Sequence, residues 1–271
     1  MSDKTFPTVG RRTQVIAALA GLAALCAGLA FFTGPGNQAG AADDATTAKA
    51  KQAVILGANG PVRDPLCPSR CTGVAIVSGV QAQINGAGQP FRVPFKGKIT
   101  RWKLALGKPN ASQRDFFQTK FGERPEAALG VLKKTRKDGK AVYKLRKRTA
   151  VIGLNRYLGT TASLPVKHPL AVNKGDIVAL IVPTWAPALW TPAACDLVKD
   201  TATGEMVKKN ATACANFTDD YSWVASRDKS TCSKPINMKT SQAQLKVGSA
   251  VPYGCRFRPG QLTYRVRVES R

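Results

Sequence analysis

Histidine is almost missing from this sequence: among 271 residues only His168 carries an imidazole. Its neighbours Lys167 and Pro169 put it in a connecting loop, where an imidazole is solvated rather than catalytic. That shortage excludes most Ser-His-Asp and Cys-His schemes, which need a histidine as base. Acids are scarce too, 16 Asp and Glu against 41 Lys and Arg, for a formal charge of +25. Paired carboxylates for glycosidic chemistry would have to come from Glu123, Glu126, Asp176, Asp219 and Asp220, none of which stands in a recognisable context. Asp176 reads as the cap of its own turn, Asn173-Lys174-Gly175-Asp176. Asp219-Asp220 offers the hard oxygens that calcium takes, without EF-hand spacing. No P-loop, Rossmann glycine pattern or C-x-x-C zinc pair occurs, and no repeat of fixed period or long helical pattern. The sequence argues against an enzyme and implies no cofactor and no metal.

What it does contain is a start suited to export. Lys4, Arg11 and Arg12 precede Val15 to Phe32, eighteen residues without a charge. A positive segment followed by an apolar one reads as a signal peptide, and the length of the run equally suits an uncleaved membrane anchor. Ala39-Gly40-Ala41 offers a cleavage site. With positive charge held inside, either reading places the remainder outside the membrane. Seven cysteines agree: Cys26 lies in the leader, which leaves Cys67, Cys71, Cys195, Cys214, Cys232 and Cys255. An even number in an exported chain reads as disulfides. Six cysteines allow fifteen connectivities; sequence-local pairing, one of them, would join Cys67 to Cys71, Cys195 to Cys214 and Cys232 to Cys255. Sequons stand at Asn110, Asn210 and Asn216.

Residues 33–64 are rich in Gly, Ala, Thr and Pro and read as a flexible linker, so the folded domain is expected over 65–271. Within it the apolar patterning is that of strands. Ile177-Val178-Ala179-Leu180-Ile181-Val182, between the turn Asn173–Asp176 and Pro183, predicts a central strand buried on both sides. Trp102, Leu104 and Leu106 alternate with Arg101 and Lys103, the period of a half-buried strand. Val74–Val77 and Val80–Ile84 predict further strands. Leu262–Glu269 alternates almost without fault, with Arg265, Arg267 and Glu269 outward. Residues 153–169 read as a connection, 191–220 as a stapled loop between Cys195 and Cys214, and 108–126 as a connection with room for a short helix. The fold class is all-β, an antiparallel two-sheet sandwich of jelly-roll-like form.

Asp138-Gly139 between alternating arms gives the clearest hairpin signal, over Ala127 to Val151. Its arms and tip carry Lys133, Lys134, Arg136, Lys137, Lys140, Lys144, Arg146, Lys147 and Arg148 against one acid, Asp138. Such density attracts phosphates with salt-dependent affinity; lysines at a sheet edge also deter edge-to-edge aggregation. Trp185, Trp190, Tyr221 and Trp223 stand near strand ends, where rings stack on sugars or else pack as a satellite core beneath the stapled loop. The stretches VPFKGKITRWKLALG, AALGVLKK, LAVNKGDIVALIVPTWAP and WVASR resemble uncharacterised exported β-sandwich proteins of bacteria, over roughly residues 67–268. The resemblance implies architecture and export, with no activity or site residues. The expected function is an exported, strongly basic binding or structural domain of the cell envelope engaging an anionic or carbohydrate polymer. Membrane contact is confined to the N-terminal segment, and no sequence-specific nucleic-acid motif occurs. The alternative is a carboxylate-dependent hydrolase of wall glycan.

Overall fold

The computed structural model describes residues 52–61, 63–201, 205–236 and 242–271. The leader and residues 33–51 of the expected linker lie outside the described residues. No helix of the described residues is long and apolar enough to cross a membrane.

The fold is mostly β. In chain order the main strands are β1 (Ala53–Leu56), β2 (Val74–Ile84), β3 (Gly97–Ala105), β4 (Glu126–Lys137), β5 (Lys140–Arg148) and β6 (Thr161–Val172). They continue with β7 (Ile177–Ala186), β8 (Ser222–Ala225), β9 (Ala250–Val251), β10 (Cys255–Phe257) and β11 (Tyr264–Ser270). Helix α1 is Ala111–Phe121 and α2 is Ala211–Thr218. A smaller antiparallel sheet runs β1-β11-β3-β6, and a larger one, curled like half a barrel, runs β9-β5-β4-β7-β2-β8-β10. The pairing is nested: β1 with β11, β2 with β7, β3 with β6 and β4 with β5. Asp138 and Gly139, both at positive φ, form the innermost turn of that nest.

Residues of both sheets share one core. Ile99, Trp102 and Leu104 of β3, with Val266 and Val268 of β11, join Val77, Leu129, Val131, Val178 and Leu180 of the larger sheet. The opposite face of the larger sheet buries Leu132, Leu145, Ala179 and Ile181, covered by Tyr253 and Leu245. Thus β7 is apolar on both faces, as a continuous apolar run predicts. The covering segment is held by Gln244, whose amide N–H donates to Ser78 Oγ (2.9 Å) and whose Nε2 donates to Tyr143 O (2.9 Å).

Three elements differ from the sequence expectation. Pro183 does not end β7, which runs on to Ala186. The register skips Pro183 and Thr184 opposite a bulge at Ile76, so the missing proline amide costs no ladder bond. Residues 161–169, part of the stretch 153–169 read as a connection, belong to β6 despite Pro165 and Pro169. β6 is an edge strand of the smaller sheet, where proline is tolerated. β1 lies inside the stretch read as linker and pairs with β11, so the folded part begins before residue 65.

The three disulfides join Cys67 to Cys71, Cys195 to Cys214 and Cys232 to Cys255, the sequence-local pairing. Such bonds belong to oxidising, extracytoplasmic surroundings. An ion pair of Arg70 with Asp196 ties the first disulfide loop to the second. Two sequon asparagines are helix N-caps. Asn110 Oδ1 accepts from Gln113 N (2.9 Å) in a capping box, and Asn210 Oδ1 accepts from Ala213 N (2.8 Å).

Candidate functional site

The β4–β5 hairpin forms as the Asp-Gly turn dictates, and its register decides where each cation goes. Lys133 lies opposite Lys144 and Lys137 opposite Lys140; Lys134 faces Tyr143 and Arg136 faces Ala141. Lys133, Lys134, Arg136, Lys137, Lys140, Lys144 and Lys147 are exposed. Like charges directly opposite one another on a sheet are destabilising, so the two lysine pairs are held against local stability. Arg146 is different. It is the extra residue of a bulge, and its Nη1 donates to both oxygens of buried Asp176 at 3.0 and 3.1 Å. Asp176 Oδ2 also accepts from Asn173 N (2.8 Å), closing its own turn. Arg148 is likewise engaged, donating from Nε to Leu245 O (2.8 Å) and from Nη1 to Thr149 O (3.0 Å). Of the nine hairpin cations, Arg146 and Arg148 are therefore structural supports.

One face of the hairpin borders a cavity of about 430 Å³ on the outer side of the larger sheet. Lys134 and Tyr143 come from the hairpin; Arg92, Arg256, Gln83 and Gln89 complete the polar lining over Val80 and Tyr253. Arg256 Nη1 donates to Ser222 Oγ (3.2 Å) and Gln83 Oε1 (3.3 Å), and Arg92 Nη1 donates to Gln89 Oε1 (3.3 Å). Burial raises the Tyr143 phenol above its ordinary range, and Arg256 opposes that rise. Among the described residues, no carboxylate lines this cavity. Three cations, amide groups and a phenol suit retention of an anion; the lining holds no nucleophile–base pair. Its residues come from separate segments of the chain, which no local motif could have joined.

The four aromatic candidates are core, not ligand platforms. Trp185 is fully buried, stacks on Phe117 at 4.9 Å and donates from Nε1 to Gly122 O (2.8 Å). Trp190 and Tyr221 meet edge to face at 5.2 Å, with Phe217 of α2 against Trp190 at 6.1 Å and Arg63 over its ring at 4.5 Å. Trp223 stacks on Phe257 at 4.5 Å. At 0–8% exposure none presents a face to solvent. The Trp190 group packs against Phe217 of α2, the helix that carries Cys214 of the Cys195–Cys214 disulfide.

The carboxylate candidates are scattered. Glu123 is exposed beside Arg124, Asp219 is exposed and pairs with Arg258 (3.2 Å), and Asp176 is bound to Arg146. Among the described residues, no three His, Cys, Asp or Glu side chains gather as a metal site, so Asp219-Asp220 gains no calcium partner there. His168, on β6, is exposed and lines an apolar cavity of about 500 Å³ with Lys167, Arg148 and Arg156, and among the described residues no carboxylate lines it. No protein-family model, curated protein or solved structure matches the chain.

Proposed function

We propose that the chain is an exported, non-enzymatic binding domain whose basic hairpin holds an anionic or carbohydrate polymer of the cell envelope. The observation that carries this reading is the hairpin register: seven exposed cations, two pairs of them set lysine against lysine. A polyanion relieves that repulsion and releases its own counterions on binding. The adjoining cavity, lined by Lys134, Arg92 and Arg256, extends the same chemistry inward. The disulfides and the charged start of the sequence support placement outside the membrane, either released or anchored by the N-terminal segment. For the architecture, the nested strand order and the shared core support a jelly-roll-like two-sheet sandwich.

Co-sedimentation of the oxidised full chain with purified sacculi, with and without their anionic polymers, tests the reading across a salt series. Retention should fall with salt and require the polymers. Salt-resistant retention on stripped sacculi would contradict it.

A further inference from the structure

The outer face of the smaller sheet carries a second array of cations, and it sits where edge protection cannot explain it. Arg267 of β11 lies opposite Arg101 of β3, and the next outward pair sets Arg265 opposite Lys103. Their alternate neighbours Trp102, Leu104 and Val266 enter the core, so these four side chains project on the side turned away from it. Arg101, Lys103 and Arg267 are exposed and Arg265 is half-buried. They line an open groove of about 630 Å³ whose single carboxylate, Glu269, accepts from Arg267 Nε at 2.7 Å. Asp64 adjoins Lys103 and Arg265 in a neighbouring hollow.

Two features separate this face from a solvated surface. First, β11 and β3 are the two inner strands of the sheet; β1 and β6 are its edges. Lysine and arginine guard edges against pairing with other chains, and inner strands need no such guard. Second, like charges directly opposite each other weaken a sheet, and here they occur at two successive outward positions. Arg265 also donates from Nη2 to Gly60 O, and Arg267 is held by Glu269. Those contacts do not require a second cation opposite each, and Arg101 and Lys103 supply it. A ligand of opposite charge is the use that this opposition fits.

The spacing names the ligand. Successive outward residues on a strand are about 7 Å apart. Over these two steps, two opposed cations per step give about one positive charge per 3.4 Å before Glu269 is counted, which is near the charge spacing of a single phosphate backbone strand. The next pair, Lys98 opposite Glu269, is neutral. The groove is open and offers the lone aromatic Trp102 only as its buried floor, so it does not enclose a sugar ring. We propose that this face binds a phosphate-bearing linear polymer lying along β11 and β3, as a contact separate from the hairpin. The inference rests on the polyanion reading above. The hairpin face that bears Lys134 and Tyr143 lies with Leu132 and Leu145 on the far side of the larger sheet. One molecule thus presents cations on two sides of its core and can bridge two polymer chains.

The test uses the full chain with its disulfides intact, in non-ionic detergent, and long-chain inorganic polyphosphate as probe. The double variant Arg101→Gln/Arg267→Gln is compared with the hairpin variant Lys133→Gln/Lys134→Gln/Lys147→Gln. Removing two phosphate contacts should lower the slope of log affinity against log salt by about 1.5. Affinity at low salt should fall at least tenfold, and light scattering from bridged chains should disappear. Because the substitution relieves repulsion and removes only the solvent-accessible Arg267–Glu269 pair, which is worth little, the thermal midpoint should stay or rise, which separates lost contact from lost fold. Unchanged affinity and slope in the double variant overturn the inference, as does equal binding to a uronic-acid polymer of matched charge. Loss confined to the hairpin variant sinks this face and leaves the hairpin reading intact. Loss confined to the double variant does the reverse.

Discussion

At the scale of single residues, burial decides which side chains do structural work. Trp185 was legible as the end of a strong strand, but its neighbour across the core, Phe117, sits 68 residues earlier on α1. Nothing local in the sequence distinguishes such a ring from an exposed one. Trp185→Ala should cost about 3–5 kcal/mol in urea denaturation while leaving salt-dependent polymer retention of the folded protein unchanged. The turn role of Asp176 was legible from Asn173-Lys174-Gly175-Asp176; its partner Arg146 was not, because a bulge re-aims that arginine out of the basic series. Asp176→Asn leaves Arg146 without its carboxylate and should cost about 2–3 kcal/mol by the same measurement. Two phenols bear on stability at alkaline pH. Burial raises the Tyr253 and Tyr264 hydroxyls well above the ordinary tyrosine range. The unfolded chain releases these protons near pH ~10, whereas the folded chain keeps them. Their contribution is therefore whole below that pH and is lost progressively as pH rises above it toward the folded values. Urea midpoints should hold up to about pH 10 and fall above it; a flat profile to pH 11 would contradict the burial of both rings.

At the scale of elements, alternation and turn chemistry were enough for β3, β4, β5, β7 and β11. Asp138-Gly139 placed the hairpin, and the run Ile177–Val182 placed the doubly buried strand. Sequence signals failed where the strand was an edge. β6 contains two prolines and β1 is four residues long, and each is held by a single neighbour in its sheet. An edge strand needs fewer amides and less apolar surface, so its own sequence carries less of the information that forms it. The disulfides differ in the chain they constrain. Cys232–Cys255 closes a separation of 23 residues and Cys67–Cys71 one of 4. Replacing the first pair by serine should cost about 3 kcal/mol and the second about 2 kcal/mol on chain-entropy grounds. Denaturation of the two double-serine variants, compared with the intact protein, checks both the size and the order.

For the whole molecule, the nested pairing explains why the most basic segment is also central to the topology. The hairpin is the innermost pair of the nest, formed from the most local contacts, and the first and last strands close the outermost pair. The candidate site was half legible. The cation-rich hairpin could be read directly, but Arg92, Arg256 and Gln83 join it only through the sheet order. The opposed pairs of Arg101 with Arg267 and Lys103 with Arg265 needed the register of β3 against β11. The central claim is that the hairpin holds an anionic envelope polymer. Its most direct test is retention on polymer-bearing sacculi of the chain carrying Lys133→Gln, Lys134→Gln, Lys137→Gln and Lys147→Gln. Each lost contact with a single-stranded polyanion removes about 0.7 of a unit of salt dependence, so the slope should fall by about 3 for four contacts, with the urea midpoint unchanged or raised. Retention of unaltered strength and slope in that variant would contradict the account.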